Sequence, residues 1–278
     1  MIIDLHTHTR YCRHATGTPA ELVEAAIKKR VSHLGISDHY PLPKGFEDPA
    51  GDSAMHEYCL QQYWREVQEL SKNKKIKVLK GVEVDYIPEY IDQIKNSLTF
   101  LESPDYLIGA VHFIEGWNFD FGEDKFLEGI QKYGTVDEIY KKYYKLIRKM
   151  CQTKMFEVVA HLDLPKKFNY YPANHHPKIN PDIDETLDCI KDNNLVLEIN
   201  TAGWRKPVKE QYPSEEIIKK AYKREIQITI GSDAHCPEDV GTNTLNAIAK
   251  AYVNGYRQIT VFEKKERLNE DVFKLLSS

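Results

Sequence analysis

Seven of the eleven histidines in this 278-residue chain stand where an apolar run breaks off, or in the loop after the first such run. Ile2-Ile3-Asp4-Leu5 leads into His6-Thr7-His8, with His14 shortly after; Gly35-Ile36-Ser37 leads into Asp38-His39, and Leu79-Lys80-Gly81-Val82 into Glu83. Gly109-Ala110-Val111 leads into His112, Val158-Val159-Ala160 into His161, and Thr229-Ile230-Gly231-Ser232 into Asp233-Ala234-His235. Residues two apart on a strand point the same way, so His6 and His8 can offer two imidazoles to one ion. Any of these histidines taken singly is as readily a hydrogen-bonded core or rim residue. Together they resist that reading, because so many buried polar groups without partners would be costly. A four-coordinate ion uses about four donors, and His6, His8, His14, His39, Glu83, His112, His161, Asp233 and His235 exceed that, so two or three divalent ions are expected. Glu83, with two oxygens, is the natural bridge. Imidazole and carboxylate without thiolate favour zinc, manganese or iron over calcium or magnesium.

Adjacent divalent ions generate hydroxide at neutral pH and clamp the attacking and leaving oxygens of an in-line displacement at phosphorus, so hydrolysis of a phosphate ester fits. A nucleophilic serine or cysteine lacks support, since no G-x-S-x-G elbow is present. Neither G-x-x-x-x-G-K-[ST] nor G-x-G-x-x-G occurs, so ATP and dinucleotide use are not indicated. Phosphoryl oxygens need donors, and the forked guanidinium of Arg205 suits them; Arg13 is a further candidate. Asp38 is read as a partner orienting His39 or a metal-bound water, with proton shuttling as the alternative. Asp38, His235 and Arg205 are the candidate catalytic groups.

These side chains need a scaffold that brings distant segments together. Apolar, β-branched runs alternate with stretches of helical period, the pattern of strands joined by crossover helices in a parallel sheet. The expected strands are Ile2–Leu5, Leu34–Ser37, Val78–Val84, Tyr106–Val111, Glu157–Ala160, Val196–Ile199 and Ile226–Ile230, with Gln258–Phe262 as a further strand closing the set. Thr18-Pro19-Ala20-Glu21 and Thr135-x-x-Glu138 read as capping boxes, and Asn180-Pro181-Asp182 and Ser214-Glu215-Glu216 as two more helix starts. Six of the seven main strands deliver His, Asp or Glu at their C-terminal ends; the seventh, Leu197-Glu198-Ile199, delivers Asn200 to Arg205. A parallel barrel gathers all those ends on the face where active sites are built. No linker or composition break appears, so residues 1–278 are expected to form a single domain.

The ordered set H-x-H, His14, S-D-H, G-V-E, His112, His161 and S-D-A-H resembles the polymerase and histidinol phosphatase (PHP) superfamily over essentially the whole chain. Within it, Asn200-Thr201-Ala202-Gly203-Trp204-Arg205-Lys206-Pro207, followed by Tyr212-Pro213-Ser214, and the opening His6-Thr7-His8 with Cys12-x-His14, are similar to the monofunctional histidinol-phosphate phosphatases. The resemblance implies a distorted (β/α)7, TIM-like barrel of parallel strands with its active site at the strand C-terminal ends and a trinuclear centre. One ion would take His6, His8, Glu83 and Asp233, a second Glu83, His112 and His161, and a third His14, His39 and His235. Many superfamily members carry an acidic residue where this chain has His14. The resemblance also implies a basic phosphate contact in the loop holding Lys166 and Lys167, and L-histidinol phosphate, on the way to histidine, as substrate. Alternatives are a PHP-type nucleotide phosphoesterase or nuclease, and an amidohydrolase-like C–N hydrolase, which also opens with H-x-H. The first is disfavoured by the acidic balance, the second by the extra group His14, His39 and His235.

Composition narrows the partners. With 38 Lys+Arg against 42 Asp+Glu, a formal charge of −4 gives no excess positive charge for a nucleic-acid backbone. No apolar stretch reaches the length of a membrane span, and the expected setting is the cytoplasm with a small phosphate ester as the partner. The five cysteines form no C-x-x-C pair and read as packing thiols. His175-His176 reads as loop rim, and His33 and His56 as residues outside the strand-end pattern. The segment Ile139–Ile147 reads as a packed helix with lysines outside.

Overall fold

The computed structural model describes residues 2–171 and 180–277. In chain order the strands are β1 (Ile2–Asp4), β2 (Val31–Ile36), β3 (Lys77–Asp85), β4 (Tyr106–Ala110), β5 (Phe113–Ile114), β6 (Trp117–Asn118), β7 (Val158–Val159), β8 (Val196–Asn200), β9 (Ile228–Gly231), β10 (Gln258–Glu263) and β11 (Glu266–Asp271). The helices are α1 (Pro19–Lys28), α2 (Leu60–Leu70), α3 (Ile91–Leu98), α4 (Glu123–Tyr133), α5 (Val136–Gln152), α6 (Asn180–Asp192), α7 (Glu215–Lys223), α8 (Thr244–Val253) and α9 (Val272–Leu276).

Seven strands run side by side in the order β1-β2-β3-β4-β7-β8-β9, each neighbouring pair parallel. The first and last meet: Leu5 donates its N–H to Ile230 O at 2.8 Å, Asp233 to His6 O at 2.7 Å and His8 to Ala234 O at 2.8 Å. The sheet is therefore a nearly closed parallel barrel ringed by helices, as expected. Its distortion lies between β4 and β7, where one crossover holds the β5–β6 hairpin, α4 and α5.

Local chemistry explains the helix positions. Thr18 and Glu21 form the full capping box at α1, with Pro19 as its first residue. At α5 only half of the expected box forms: Thr135 accepts from Glu138 N, while the Glu138 carboxylate pairs with Lys141 at 2.8 Å instead. Ile139, Tyr143 and Ile147 are buried on the inner face of α5, and Lys145 and Lys149 are exposed. Asn180 and Ser214 do mark helix starts, at α6 and α7. Among the described residues no helix is long and apolar enough to cross a membrane.

Tyr106 crosses the barrel interior to donate to Leu5 O at 2.5 Å. This passage needs glycine on the two strands it spans: a Cβ at Gly35 would lie 1.8 Å from the Tyr106 oxygen, and one at Gly81 2.7 Å from Cζ. Gln258–Phe262 is a strand but does not close the set, which corrects the sequence expectation. Because β1 already meets β9, β10 forms its antiparallel ladder with β11. The hairpin covers the N-terminal mouth: Phe262 stacks on Tyr106 at 5.4 Å, Lys264 N–H donates to Asp105 Oδ1 at 2.9 Å, and Lys265 pairs with Glu157 at 3.2 Å.

Candidate metal centre

At the opposite mouth the other eight candidate ligands surround Glu83, which is buried at the C-terminal end of β3. Glu83 Oε2 lies 3.2 Å from His6 Nε2, 3.5 Å from His8 Nε2 and 3.1 Å from His39 Nδ1. Its Oε1 lies 3.0 Å from His161 Nε2 and 3.8 Å from His112 Nε2. Asp233 Oδ1 is 3.2 Å from His8 Nε2, and His14 Nε2 is 3.1 Å from His235 Nε2. One acid thus touches five imidazoles, while the remaining ligands flank them.

The surrounding groups aim these rings. His112 Nδ1 meets Asp85 Oδ1 at 2.8 Å, His14 Nδ1 meets Asp52 O at 2.8 Å, and His6 Nδ1 meets Glu198 Oε1 at 2.6 Å. Asp85 and Glu198 were not singled out from sequence. Period two held the signal: Asp85 shares a face with Glu83, and Glu198 is an acid inside the buried run Val196–Asn200.

Charge follows from this packing. Burial alone would raise Glu83 and Asp233, yet neighbouring imidazoles, His6 foremost, outweigh it and hold both carboxyls well below the usual range. Burial lowers His8, and burial with facing imidazoles holds His39 and His235 well below the ordinary histidine value. Burial would lower His112 too, but Asp85 and Glu83 prevail and raise it to about 10. Metal binding needs ionised carboxylates and neutral imidazoles; the directions at Glu83, Asp233, His8, His39 and His235 favour those states. His6, like His112, is instead raised against the pull of burial by facing carboxylates, Glu198 foremost for His6, so an ion displaces a proton from both rings. The donor set also fits an ion in another respect. His6 Nε2, both His8 nitrogens, His39 Nδ1 and His161 Nδ1 are buried without a hydrogen-bond partner, each a cost of about 1–3 kcal/mol. Since a neutral ring has one free lone pair, a cation would relieve His6 Nε2, His39 Nδ1 and one nitrogen of His8. Several three-residue groups, among them His6-His8-Glu83 and His8-His39-His235, bring ligand atoms within 4.8 Å of one another.

A cavity of about 340 Å³ opens over this cluster. Arg205 lines it: Nη2 donates to Ser232 O at 2.7 Å, Nε pairs with Asp239 at 3.2 Å, and Nη1 is buried with no partner. Lys167 also lines it, donating to Asp120 Oδ2 at 2.9 Å. Lys206, not singled out from sequence, completes a cationic wall. The structure does not bring Lys166 or Arg13 to the cavity. Lys166 is buried behind it, donating to Glu210 at 2.7 Å, Gln211 O at 2.8 Å and Asp163 at 2.9 Å. Arg13 donates to Ala54 O at 2.6 Å and to Gly51 O. Asp38 is fully buried, with Oδ1 accepting from Thr9 N at 2.7 Å and Oδ2 from Thr9 Oγ1 at 2.8 Å, and burial pushes its carboxyl up to about 7.

His33 faces Glu270 and His56 stacks on Tyr58, both away from the centre. His175 and His176 lie outside the described residues. Burial raises the Cys12 thiol well above its usual value, as suits a packing residue.

The PHP domain family matches residues 4–202. The chain is 33% identical over 271 residues to the Deinococcus radiodurans protein named "Probable histidinol-phosphatase", covering 95% of this chain and 98% of that one. It is 32% identical over 254 residues to the histidinol-phosphatase of Bacillus subtilis, covering 86% and 95% respectively. Its fold matches the crystal structure of histidinol phosphate phosphatase from Lactococcus lactis, complexed with zinc, L-histidinol and phosphate. The TM-score there is 0.77 at 19% identity, over 96% of this chain and 98% of that one.

Proposed function

The chain belongs to the PHP domain family, and from that premise we propose that it hydrolyses L-histidinol phosphate to L-histidinol and phosphate, as a phosphoric monoester hydrolase. The observation that carries the reading is the convergence of seven imidazoles and two carboxylates beneath a cavity lined by Arg205, whose Nη1 has no partner. Residues 1–278 act in this reading as a single domain.

His6, His8, Glu83 and Asp233 would hold one divalent ion, Glu83, His112 and His161 a second, and His14, His39 and His235 a third, giving two or three ions of zinc, manganese or iron. When bound, such ions acidify a water and neutralise charge on the phosphoryl group. The chain supplies the remainder. Arg205 Nη1 donates to a phosphoryl oxygen, and Lys167 and Lys206 add positive potential beside it. His235 faces the cavity and can touch the substrate, whereas Asp38 fixes the turn after His8 through Thr9 and steadies the adjoining His39. Asp52, from the loop after β2, with Asn118 at the end of β6 and Asp120 and Phe121 just beyond it, offer acidic and aromatic wall to a leaving group bearing an amine and an imidazole. The same carboxylates disfavour a polyanionic nucleic acid.

The test is phosphate release by the metal-loaded protein from L-histidinol phosphate, p-nitrophenyl phosphate and a dinucleotide. The highest kcat/KM belongs to histidinol phosphate. Turnover confined to the dinucleotide would move the assignment to a nuclease, and metal binding with no turnover of any ester would move it to C–N hydrolysis.

A further inference from the structure

Glu198 lies on β8, the strand that contributes none of the nine candidate ligands, and is buried to 1% exposure. Its Oε1 sits 2.6 Å from Nδ1 of His6, just after β1. Its Oε2 accepts the backbone N–H of His161, after β7, at 2.9 Å, and Asn200 Nδ2 at 3.1 Å. Asn200 Nδ2 also reaches Asp233 Oδ2, after β9, at 3.2 Å. One carboxylate, directly or through Asn200, therefore meets three ligand-bearing segments that lie far apart in sequence. The backbone of β9 makes room for it: a Cβ at Gly231 would lie 2.2 Å from Glu198 Oε1 and 2.4 Å from His6 Cβ.

We propose that Glu198 is a positioning residue that keeps the hydrogen of His6 on Nδ1 and sets the spacing of His6, His161 and Asp233 before any ion arrives. With Nδ1–H held by the carboxylate, the His6 nitrogen turned toward Glu83 is Nε2, and a rotated or tautomerised ring would lose that aim. A glutamine cannot replace the acid. Both Glu198 oxygens accept, and an amide NH2 would confront either His6 Nδ1–H or the donors of His161 and Asn200. Asp85 serves His112 alone in a similar way, so its loss is the local control.

The inference rests on the metal-centre reading, and the experiment separates the two. Long-range 1H–15N spectra of metal-free wild-type protein with labelled imidazoles are recorded, and zinc affinity is then measured for wild type, Glu198→Gln and Asp85→Asn. His6 carries a hydrogen on Nδ1 in the wild type. Glu198→Gln perturbs the His6 and His161 signals together and weakens the tightest zinc site by about 10- to 100-fold, whereas Asp85→Asn perturbs His112 and leaves His6 in place. Wild type that binds no zinc would refute the metal-centre reading. A bare His6 Nδ1 in the wild type, or zinc bound by Glu198→Gln as tightly as by wild type, would overturn the role of Glu198. Should that variant fail to fold, the spectrum of zinc-loaded wild type decides: the hydrogen stays on His6 Nδ1 with Nε2 bare if Glu198 holds it, and a bare Nδ1 would overturn the role.

Discussion

The two mouths of the barrel treat buried polar groups in opposite ways. At the N-terminal mouth Asp105 is buried with its needs met: Oδ2 accepts Lys80 N–H at 2.8 Å, Oδ1 accepts Lys264 N–H at 2.9 Å, and its carbonyl accepts Lys265 N–H at 2.9 Å. At the C-terminal mouth five histidine nitrogens and Arg205 Nη1 are buried with no hydrogen-bond partner. A satisfied acid under a hairpin serves the fold. A crowd of unsatisfied donors and acceptors under a cavity costs stability and is held in place by the remainder of the barrel, which is the pattern of a binding site.

Substitutions at the two mouths should therefore fail differently. The largest loss is expected for Asp233→Asn and Glu83→Gln, where turnover falls by about 10³-fold or more and metal content drops on elemental analysis; full activity in either variant would remove the proposed centre. Arg205→Ala should lower kcat/KM by about 10²-fold, or ~2.7 kcal/mol. A rise in KM alone would mean that Arg205 binds ground state and transition state equally. The neighbouring lysines divide along the same line. Lys167→Ala raises KM about tenfold, near 1.4 kcal/mol, whereas Lys166→Met leaves KM unchanged and lowers the melting temperature, because Asp163 and Glu210 lose their buried cation. The smallest kinetic effect belongs to Asp105→Asn: kcat/KM stays at the wild-type value while stability falls by about 1–3 kcal/mol in urea titration, since one amide group faces a backbone N–H. Lost activity there with unchanged stability would erase the contrast between the mouths.

How much of this could be read in advance follows the same division. The candidate ligands were legible because all but His14 stand at the end of an apolar run, and a parallel barrel turns that one-dimensional regularity into a ring. Period two gives the face on which Asp85 and Glu198 stand but not their roles, which lie in what meets them from other strands. Lys166 and Lys167 are adjacent on the turn Leu164–Phe168, yet one side chain points behind the cavity and the other into it. Nothing in the pair Lys-Lys separates them. Gln258–Phe262 was legible as a strand, but its partner was not, since closure of the ring by β1 and β9 depends on the whole barrel.

On the proposed reading, the unsatisfied mouth is complete only with divalent ions in it. The most direct test strips the protein with a chelator and follows phosphate release from L-histidinol phosphate as zinc, manganese or iron is returned in measured equivalents. Activity should be absent at the start, rise with added ion and level off at two or three equivalents per chain. Full turnover by the stripped protein, or no recovery with any of the three metals while the protein remains folded, would contradict it.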